Sequence, residues 1–315
     1  FIFLTNKSTQ WLMILLNSCS VFALIDYLSL MIFSDVQVST FYNNFSLNCR
    51  GKIVDLSTPL VMGIINCTPD SFHASSRVQS IEKAIVLAQK HLNEGASILD
   101  IGAYSSRPGA ENISSEEEIN RLFPIVEAIR KKFPEVLMSI DSFRAEVIEK
   151  VLPLGIDMVN DISGLADENI LKVIEGKNIA YLLMHTQGTP QNMQDAPTYQ
   201  NVSTEVYQFF KEKIALIKKH RINDIIIDPG FGFGKTLEHN FDLFKNIPFF
   251  KSLNTPILIG ISRKSMINKT LNCTAAEALN GTTALHAIAL QKGGNILRVH
   301  DVKEAIETVK LHNNL

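Results

Sequence analysis

The sequence has few cysteines, and they show none of the spacings that cysteine chemistry requires. Its 315 residues include four cysteines, which form no CxxC pair and no metal-ligand pattern. A disulfide scaffold or a structural zinc module needs denser, regularly spaced cysteines, so both classes are excluded. Unpaired thiols favour a reducing compartment, and we expect a cytoplasmic protein. The four residues are Cys19, Cys49, Cys67 and Cys273.

The sequence also lacks an excess of charge of either sign. It contains 30 Lys and Arg residues against 32 Asp and Glu residues, which gives a formal net charge of −2. A nucleic-acid-binding protein needs a basic patch or stripe, and none is visible in this sequence. We therefore expect small-molecule substrates and no nucleic-acid partner. The apolar share of 46% is enough for the core of a large globular domain.

A single apolar run is long enough to cross a membrane, and it lies near the N-terminus. Residues 11–33 read WLMILLNSCSVFALIDYLSLMIF, and a bilayer span takes about 20 apolar residues. Asp26 would cost roughly 2.5–3.5 kcal/mol inside a bilayer, and with Lys7 alone before the run a signal peptide is poorly supported. We interpret residues 1–30 as an upstream stretch read in frame, with Met31 as the start. A membrane anchor or targeting segment is the alternative.

The glycine-rich segment IIIDPGFGFGKT at residues 225–236 lacks the spacing of a nucleotide-binding loop. A phosphate-cradling loop has a glycine five positions before the glycine of its Gly-Lys-Thr triplet, and Pro229 stands there. The dinucleotide fingerprint also fails, because Lys235 occupies its third glycine position. The segment is therefore not a nucleotide cradle. Its notable feature is Asp228, which ends a buried apolar run.

From residue 60 onward, short apolar runs alternate with longer segments of helical periodicity. Near-continuous apolar strands between helices indicate a parallel sheet covered by helices. Eight such units over about 250 residues are typical of an α/β protein with a closed (β/α)8 TIM barrel; an open doubly wound sheet is the alternative. We expect one barrel domain at residues 50–315, without a membrane partner, after an extension at residues 1–49. The runs are residues 60–66, 97–102, 136–141, 157–161, 180–185, 224–230, 256–262 and 295–301.

Polar residues close seven of these runs. The C-terminal ends of the strands carry the chemistry of such barrels, and a parallel strand is buried on both faces. One polar residue at a strand exit is easily a structural group, but seven that converge on one rim indicate a site. The closing residues are Asn66, Asp141, Asn160 with Asp161, His185, Asp228, Ser262 with Arg263 and Lys264, and Arg298 with His300.

One part of this rim suits a neutral heterocycle. It consists of Asp141, Asn160 and Asp228. Carboxylates accept two hydrogen bonds side by side, and an amide both donates and accepts. Ring N–H groups and ring nitrogens are matching partners for these side chains.

The other part of the rim is cationic, with Arg107, Lys264, Arg298 and His300. Arginine pairs bidentately with phosphate oxygens, and TIM barrels frequently hold phosphate near the loops after strands 7 and 8. A helix expected to begin at Asp301 would add amide donors near Arg298. A heterocycle beside a phosphate site indicates group transfer in which phosphate or pyrophosphate leaves.

Asn66 and Asp70 offer oxygen ligands for Mg²⁺, an ion that keeps waters and shares substrate phosphates. The segments 68–77 and 104–110 are polar and rich in Ser, Gly and Pro. Such composition is expected of mobile covers that exclude water from a site. For either segment alone, a plain surface connection is the simpler interpretation.

Eight short motifs follow one another between residue 62 and residue 302. They are MGIINCTPDSF (62–72), SSRPGA (105–110), SIDSF (139–143), VNDISG (159–164), MHTQGTPQNMQ (184–194), DPGFGFGKT (228–236), ISRKS (261–265) and RVHDV (298–302). In this order they closely resemble the dihydropteroate synthase family of pterin-binding enzymes. The resemblance implies a homodimeric folate-pathway transferase and sulfonamide target. Its reaction would be Mg²⁺-dependent condensation of 6-hydroxymethyl-7,8-dihydropterin pyrophosphate with p-aminobenzoate, giving 7,8-dihydropteroate and pyrophosphate.

The resemblance also implies roles for most of the rim residues. The residues expected to bind the pterin are Asp141, Asn160, Asp228 and Lys264. Those expected to hold the pyrophosphate and its metal are Asn66, Arg298 and His300, with Asp70 as a second metal ligand. The p-aminobenzoate side would consist of Ser106, Arg107, Pro108, Phe233 and Ser262. Met184 and Gly232 complete the substrate-binding candidates, and the catalytic candidates are Asn66, Asp141, Lys264 and Arg298.

In this interpretation the reaction needs no covalent nucleophile, so Cys67 is a bystander. Two departures from the family pattern concern the covers. Many members carry Thr where Ser106 stands, and many carry a glycine pair that is missing from residues 73–80.

Three other functions fit the sequence less well. Methyltetrahydrofolate-binding methyltransferases share the barrel and its pterin contacts, but they bind no pyrophosphate. A binding-only barrel would be expected to lose Arg107, Lys264, Arg298 or Asn66, and all four are present. A metal-dependent hydrolase would need a His-x-His pair at residues 66–68, which read Asn-Cys-Thr.

Overall fold

The computed structural model describes residues 45–67, 74–105, 112–188, 193 and 197–315, and only the backbone of residues 74–79. Within this part of the chain, two strands form an antiparallel hairpin and eight form a parallel sheet. The hairpin strands are β1 (Ser46–Cys49) and β2 (Lys52–Asp55). The sheet strands are β3 (Leu60–Asn66), β4 (Ile98–Gly102), β5 (Leu137–Asp141), β6 (Met158–Asp161), β7 (Ala180–Met184), β8 (Ile225–Asp228), β9 (Leu258–Ile259) and β10 (Ile296–Val299).

The parallel sheet closes on itself. Its strands stand in the order β8, β7, β6, β5, β4, β3, β10, β9. The two ends of this order meet, because Ile227 in β8 forms a parallel bridge with Ile257, directly before β9. The N–H of Ile227 also donates to the carbonyl of Pro256 at 2.9 Å. The predicted (β/α)8 barrel is therefore confirmed, and the open doubly wound sheet is excluded.

Helices cover the outside of the barrel. They are α1 (Ala74–Glu94), α2 (Ser115–Lys132), α3 (Ala145–Val151), α4 (Asn169–Ile174), α5 (Val202–Lys219), α6 (Leu237–Lys245), α7 (Ser265–Leu271), α8 (Leu279–Gln291) and α9 (Val302–His312). The side chain of Ser114 caps α2 by accepting the N–H of Glu117 at 3.1 Å. Three acidic residues in its first turn and three basic ones in its last complement the helix dipole. These signals account for where α2 begins and ends.

The alternation of side chains along each strand divides the core into two clusters. Outward side chains such as Leu99 and Ile101 pack against the helices. Inward side chains form a layer inside the barrel that includes Met62, Ile98, Leu137, Met158, Leu182, Ile226, Leu258 and Ile296. Two residues further along four of these strands, on the same inner face, stand Asp100, Asn160, Asp228 and Arg298. The alternation thus places polar groups directly above an apolar floor.

The hairpin closes the N-terminal end of the barrel. Leu47 and Val54 belong to the inner apolar cluster, and the N–H of Asn48 donates to Asp224 Oδ1 at 2.7 Å. The compact unit that contains the barrel begins at Asn44. The domain boundary predicted after residue 49 therefore falls inside the hairpin, because the first strand is already part of the core. The apolar run at residues 11–33 lies outside the described residues. Within the described part of the chain, no helix has the length and apolarity that crossing a bilayer requires.

Candidate active site

The strand ends meet through a hydrogen-bonded group of four side chains. Arg298 Nε in β10 donates to Asp100 Oδ2 in β4 at 2.6 Å, and Arg298 Nη2 donates to Asp141 Oδ2 in β5 at 2.6 Å. Asn160 Nδ2 in β6 donates to the same Asp100 oxygen at 3.0 Å. Three of these four residues were predicted from their positions at strand ends. The structure brings them together on one edge of the barrel.

Asp100 is the member of this group that the sequence prediction missed. It lies two residues inside β4, so it does not close the apolar run ILDIG. Its side chain is fully buried, and its Oδ1 has no hydrogen-bond partner among the described residues. The signal that could have revealed it is a carboxylate at an inward position of a buried strand, where an unpaired charge is costly.

Register explains how the neighbouring strand ends align. Asn66 pairs with Gly102, Gly102 with Asp141, and Asp141 with Asn160. A Cβ at Gly102 would lie 3.0 Å from Asp141 Cβ, so glycine makes room for the carboxylate. Asn66 ends β3 with an exposed side chain. The amide of Asn66 therefore stands at the mouth of the barrel, beside the buried polar group.

Asp141 and Arg298 perturb each other's titration. Burial raises the pKa of Asp141 to about 7, although Arg298 acts to lower it and Asp100 adds to the rise. Burial works against the charge of Arg298, but Asp100 and Asp141 outweigh it and keep the pKa of Arg298 above its usual value. The arginine thus stays charged at every physiological pH. Asp141, in contrast, changes its protonation state near neutral pH.

Lys264 and Asp228 occupy the opposite side of the mouth. Lys264 Nζ donates to the carbonyl of Phe231 at 2.6 Å and lies 4.7 Å from the ring centroid of Phe233. Asp228 Oδ1 accepts the N–H of Gly230 at 2.8 Å. Burial lowers the pKa of Lys264 to about 8, with Asp228 acting in the opposite direction. Burial likewise raises the pKa of Asp228, which Lys264 partly offsets.

Ser262 and His300 form a separate pair near Arg298. Ser262 Oγ lies 3.1 Å from His300 Nδ1 and accepts the N–H of His300 at 3.2 Å. Partial burial and the charge of Arg298 lower the pKa of His300 to about 4. His300 is therefore a neutral hydrogen-bonding group at neutral pH. The sequence placed His300 in a cationic patch, but Arg298 disfavours a second cation beside it.

Two further residues at strand ends point away from the mouth. Arg263 binds Asp301 with both ends of its guanidinium, at 2.7 and 2.8 Å. Asp161 accepts hydrogen bonds from Tyr181 and from Ser163. Arg263 and Asp161 therefore stabilise the rim without entering the site. Asp301 precedes α9, so its carboxylate stands where the sequence predicted amide donors for an anion.

The remaining predicted residues divide into those the structure places and those it does not describe. Met184 is buried and pairs in register with Asp228. The N–H of Gly232 donates to Asn240 Oδ1 at 2.7 Å, and a positive φ of 85° there favours glycine. Asp70, Ser106, Arg107 and Pro108 lie outside the described residues.

Comparison of the sequence with known proteins identifies the family to which this site belongs. Residues 62–300 match the model of the pterin-binding enzymes. The dihydropteroate synthase of Escherichia coli K12 is 43% identical over 267 residues, which cover 84% of this chain and 94% of the relative.

Two solved structures agree with these sequence matches. A crystal structure of the Yersinia pestis dihydropteroate synthase with a sulfonamide drug has a TM-score of 0.80 and 39% identity, covering 86% of this chain and 98% of the other. The Xanthomonas albilineans dihydropteroate synthase with 4-aminobenzoic acid has a TM-score of 0.79 and 34% identity, at the same coverage. By sequence and by fold, the chain belongs to the pterin-binding enzyme family, among the dihydropteroate synthases.

Proposed function

We propose that this protein catalyses the dihydropteroate synthase reaction of folate biosynthesis. In that reaction the methylene carbon of 6-hydroxymethyl-7,8-dihydropterin pyrophosphate is joined to the nitrogen of p-aminobenzoate, and pyrophosphate leaves. The observation that carries the proposal is the group formed by Arg298, Asp100, Asp141 and Asn160 above the apolar floor of the barrel. It sets acceptors for a nitrogen-rich ring directly beside a cation for the leaving group.

The pterin is a flat ring with several N–H donors, and the buried side chains offer matching acceptors. Asn160 gives its amide N–H to Asp100, so its carbonyl oxygen is the end that can accept from the ring. Asp228 accepts a backbone N–H through Oδ1, which leaves Oδ2 as its acceptor for the ring. Lys264 lies close enough to Asp228 to perturb its titration. Each of these groups is held in place by protein contacts before the substrate arrives.

Arg298 serves the leaving group. A guanidinium has five N–H donors, and the two carboxylates take two of them. Among the described residues, the remaining three N–H groups are available for phosphate oxygens. When the C–O bond breaks, its electron pair leaves with pyrophosphate, and hydrogen bonds that strengthen with this charge lower the barrier.

Asp141 serves the other half of the same step. Loss of pyrophosphate leaves positive charge on the methylene carbon, delocalised into the ring, and an ionised carboxylate nearby stabilises it. The lone pair of the p-aminobenzoate nitrogen then forms the C–N bond, and the nitrogen gives its extra proton to water. This step needs no covalent nucleophile. Cys67 fits that view, because burial raises the pKa of its thiol to about 12.

Phe233 and Ser262 form the described part of the p-aminobenzoate side. The ring of Phe233 lies beside Lys264, and Ser262 is held by His300. Ser106, Arg107 and Pro108 are proposed to complete this side. The Xanthomonas albilineans relative was solved with 4-aminobenzoic acid, which supports this substrate.

Mg²⁺ is the proposed cofactor, and the donor chemistry suits it. The described residues contain no cluster of three His, Cys, Asp or Glu side chains that would bind a metal alone. Mg²⁺ does not need one, because it keeps several waters and shares substrate phosphates. Asn66, exposed at the end of β3, would supply one oxygen and Asp70 a second. When bound, the ion would neutralise charge on the pyrophosphate.

A homodimer is supported by the surface of α8. This helix has no charged residue, and its sequence is LNGTTALHAIALQ. Ala284 and Ile288 are exposed on the face that also bears Gly281, and Ile288 is 42% exposed. Leu271 of α7 packs over Gly281 and is 53% exposed. An uncharged apolar stripe on a helix that covers a barrel fits an interface between two copies.

The proposed compartment is the cytoplasm. Cys49, Cys67 and Cys273 are free thiols, and burial raises the pKa of Cys49 to about 12. Reduced cysteines inside a folded core are typical of a reducing environment.

The experiment is a pyrophosphate-release assay on the purified protein with the pterin pyrophosphate and Mg²⁺. We expect release, and formation of 7,8-dihydropteroate by mass spectrometry, only when p-aminobenzoate is present. Release that does not depend on p-aminobenzoate would contradict the proposal. Pyrophosphate release also separates this function from a methyltransferase, which has no such product.

A further inference from the structure

The lysine of the Gly-Lys-Thr triplet has no role in the proposed function. Lys235 follows the glycines of the segment after β8, and its side chain is only 3% exposed. A buried ammonium is costly unless hydrogen-bond acceptors surround it. Its partners therefore indicate what it does.

Three close acceptors surround the ammonium of Lys235. Its Nζ lies 3.0 Å from Nδ1 of His185, from the carbonyl oxygen of Gly230 and from the carbonyl oxygen of Phe233. The carbonyl oxygen of His185 is a fourth, more distant acceptor at 3.4 Å. An ammonium has three hydrogens, so the three close partners satisfy it completely. Two of the close partners belong to the glycine loop, residues 229–236, and the third, like the carbonyl of His185, to the β7 loop, residues 185–188. Lys235 thus joins the two loops from within.

The two loops are packed so closely that no side-chain atom would fit between their backbones at two of the glycines. A Cβ at Gly230 would lie 1.9 Å from the carbonyl oxygen of His185, and a Cβ at Gly234 would lie 2.3 Å from that of Gln187. Both glycines have positive φ, 70° and 61°. The imidazole of His185 is itself braced edge-on by the ring of Phe209, with centroids 4.9 Å apart. The acceptor that meets Lys235 is therefore fixed in place.

The glycine loop carries two of the candidate substrate contacts. Phe231 gives its carbonyl to Lys264 Nζ at 2.6 Å, and Phe233 places its ring 4.7 Å from the same ammonium. The carbonyl of Phe233 is one of the three acceptors of Lys235. A shift of this loop would therefore move Phe233 and release Lys264 together.

We propose that Lys235 is a positioning residue, whose ammonium ties the glycine loop to the β7 loop and thereby sets Phe233 and Lys264 for substrate binding. The inference rests on the proposed function, because Phe233 and Lys264 are substrate contacts only within it. Lys235 itself lies beneath the loop and does not reach the mouth.

The charges around Lys235 make this tie depend on pH. The titratable groups that face it are His185 from the β7 loop, Asp228 from β8 and Lys264 directly before α7. Burial lowers the pKa of Lys235 to about 7, with Asp228 opposing and Lys264 adding to the effect. Burial and Lys235 keep the pKa of His185 well below its ordinary value, so the imidazole is neutral. An ammonium can only donate, so its contact with Nδ1 requires the tautomer that carries its proton on Nε2. Loss of one proton from Lys235 would leave two hydrogens for three acceptors.

The first test compares Lys235→Met with Lys211→Met, a matched change at an exposed lysine of α5. Hydrogen exchange of residues 229–236, read by mass spectrometry without substrate, should be at least tenfold faster in Lys235→Met than in the control. The KM for p-aminobenzoate should rise about tenfold in the folded fraction. Unchanged exchange would overturn the tie, and faster exchange with unchanged KM would overturn the positioning role.

The second test keeps the inference falsifiable if Lys235→Met folds poorly. His185→Asn retains an acceptor at the place of Nδ1, whereas His185→Leu removes it. We expect near wild-type exchange and KM for His185→Asn and the defect of Lys235→Met for His185→Leu. Equal defects in the two variants would overturn the proposal.

A third test uses chemical rescue of Lys235→Ala. Propylammonium should restore turnover saturably by filling the vacated site, whereas propanol should not; equal effects of the two would count against an ammonium tie. If the wild-type protein makes no 7,8-dihydropteroate, the proposed function fails. The exchange measurements then decide alone whether Lys235 orders the loop.

Discussion

Arg298 Nη2 and Asp141 Oδ2 lie 2.6 Å apart and join β10 to β5 across the two intervening strands. The same guanidinium binds Asp100 through Nε. One cation thus holds two carboxylates at the mouth of the barrel, and Asp100 is the one that is fully buried. The geometry makes Asp100 a support for both Arg298 and Asn160.

Replacing Asp100 with Asn should therefore disturb the site more than the fold. The introduced amide keeps the shape of Asp100 but lacks its negative charge, which orients Arg298 and accepts the N–H of Asn160. Hydrogen bonds to charged groups contribute about 1.5–3 kcal/mol. We expect kcat/KM for the pterin substrate to fall roughly 10- to 100-fold, as such an energy implies. Asp242→Asn, at an exposed position of α6, is the control. Equal kinetics for the two variants would remove Asp100 from the site.

The acid limb of the pH–rate profile should belong to Asp141. Burial raises its pKa from 3.8 to about 7, with Arg298 acting in the opposite direction. A carboxylate that stabilises positive charge must be ionised, so kcat/KM should fall as the pH drops below about 7. Asp141→Asn should have low residual activity without this limb. An unchanged limb in the variant would assign the titration to another group.

The titration of Asp141 should change folding stability in the direction opposite to its effect on kcat/KM, so that stability falls as the pH rises. Its folded pKa lies above the unfolded value, so between pH 3.8 and about 7 the folded state holds a proton that the unfolded state has lost. The free energy of unfolding contributed by this group therefore falls as the pH rises through that window. Denaturant titrations at several pH values should show a shallower decline for Asp141→Asn than for the wild type. A decline of the same steepness would contradict the assignment.

Gly260 and Gly176 should separate effects on binding from effects on stability. A Cβ at Gly260 would lie 3.2 Å from Asp228 Oδ2 and 3.7 Å from Lys264 Nζ, so Gly260→Ala pushes on the carboxylate. We expect a several-fold rise in KM for the pterin with little change in Tm. Gly176 has open space but a φ of 71°, so Gly176→Ala should cost about 1–2 kcal/mol of stability and leave KM unchanged. The reverse pattern would place Asp228 outside the binding site.

The apolar stripe on α8 makes a clear prediction about assembly. Ile288→Glu should place a charge in the proposed interface and convert the dimer to a monomer, as measured by sedimentation velocity at micromolar concentration. The control is Leu311→Glu in α9, where the side chain is 72% exposed and no interface is proposed. A wild-type monomer, or a dimer that survives Ile288→Glu, would exclude this interface.

The fold was predictable because its strands are buried on both faces. The run LVMGIIN coincides with β3 from Leu60 to Asn66, since apolar residues fill every position but the last. The hairpin was missed because β1 and β2 stand before the alternation of strands and helices that identified the other short strands. Their inward residues Leu47 and Val54 gain their meaning only against the barrel floor.

The candidate site was predictable where a polar residue ends a strand, as at Asp141, Asn160 and Asp228. It was not predictable where a polar residue lies inside an apolar run, as at Asp100, because only three-dimensional pairing with Arg298 reveals the reason for a charge there. Lys235 was visible in the sequence, but its spacing argued only against a nucleotide cradle. Its contact with His185, fifty residues away, depends on how two loops pack.

The hairpin that closes the N-terminal end of the barrel limits how substrates reach the site. Leu47, Val54 and the apolar floor fill that end of the barrel, so substrates and products must enter and leave through the mouth. The side chains proposed to bind the pterin, Asn160 and Asp228, are buried, so we expect the pterin to bind before p-aminobenzoate. Substrate binding should therefore be ordered. A p-aminobenzoate molecule that binds first would block the entry of the pterin, so excess p-aminobenzoate should inhibit the enzyme.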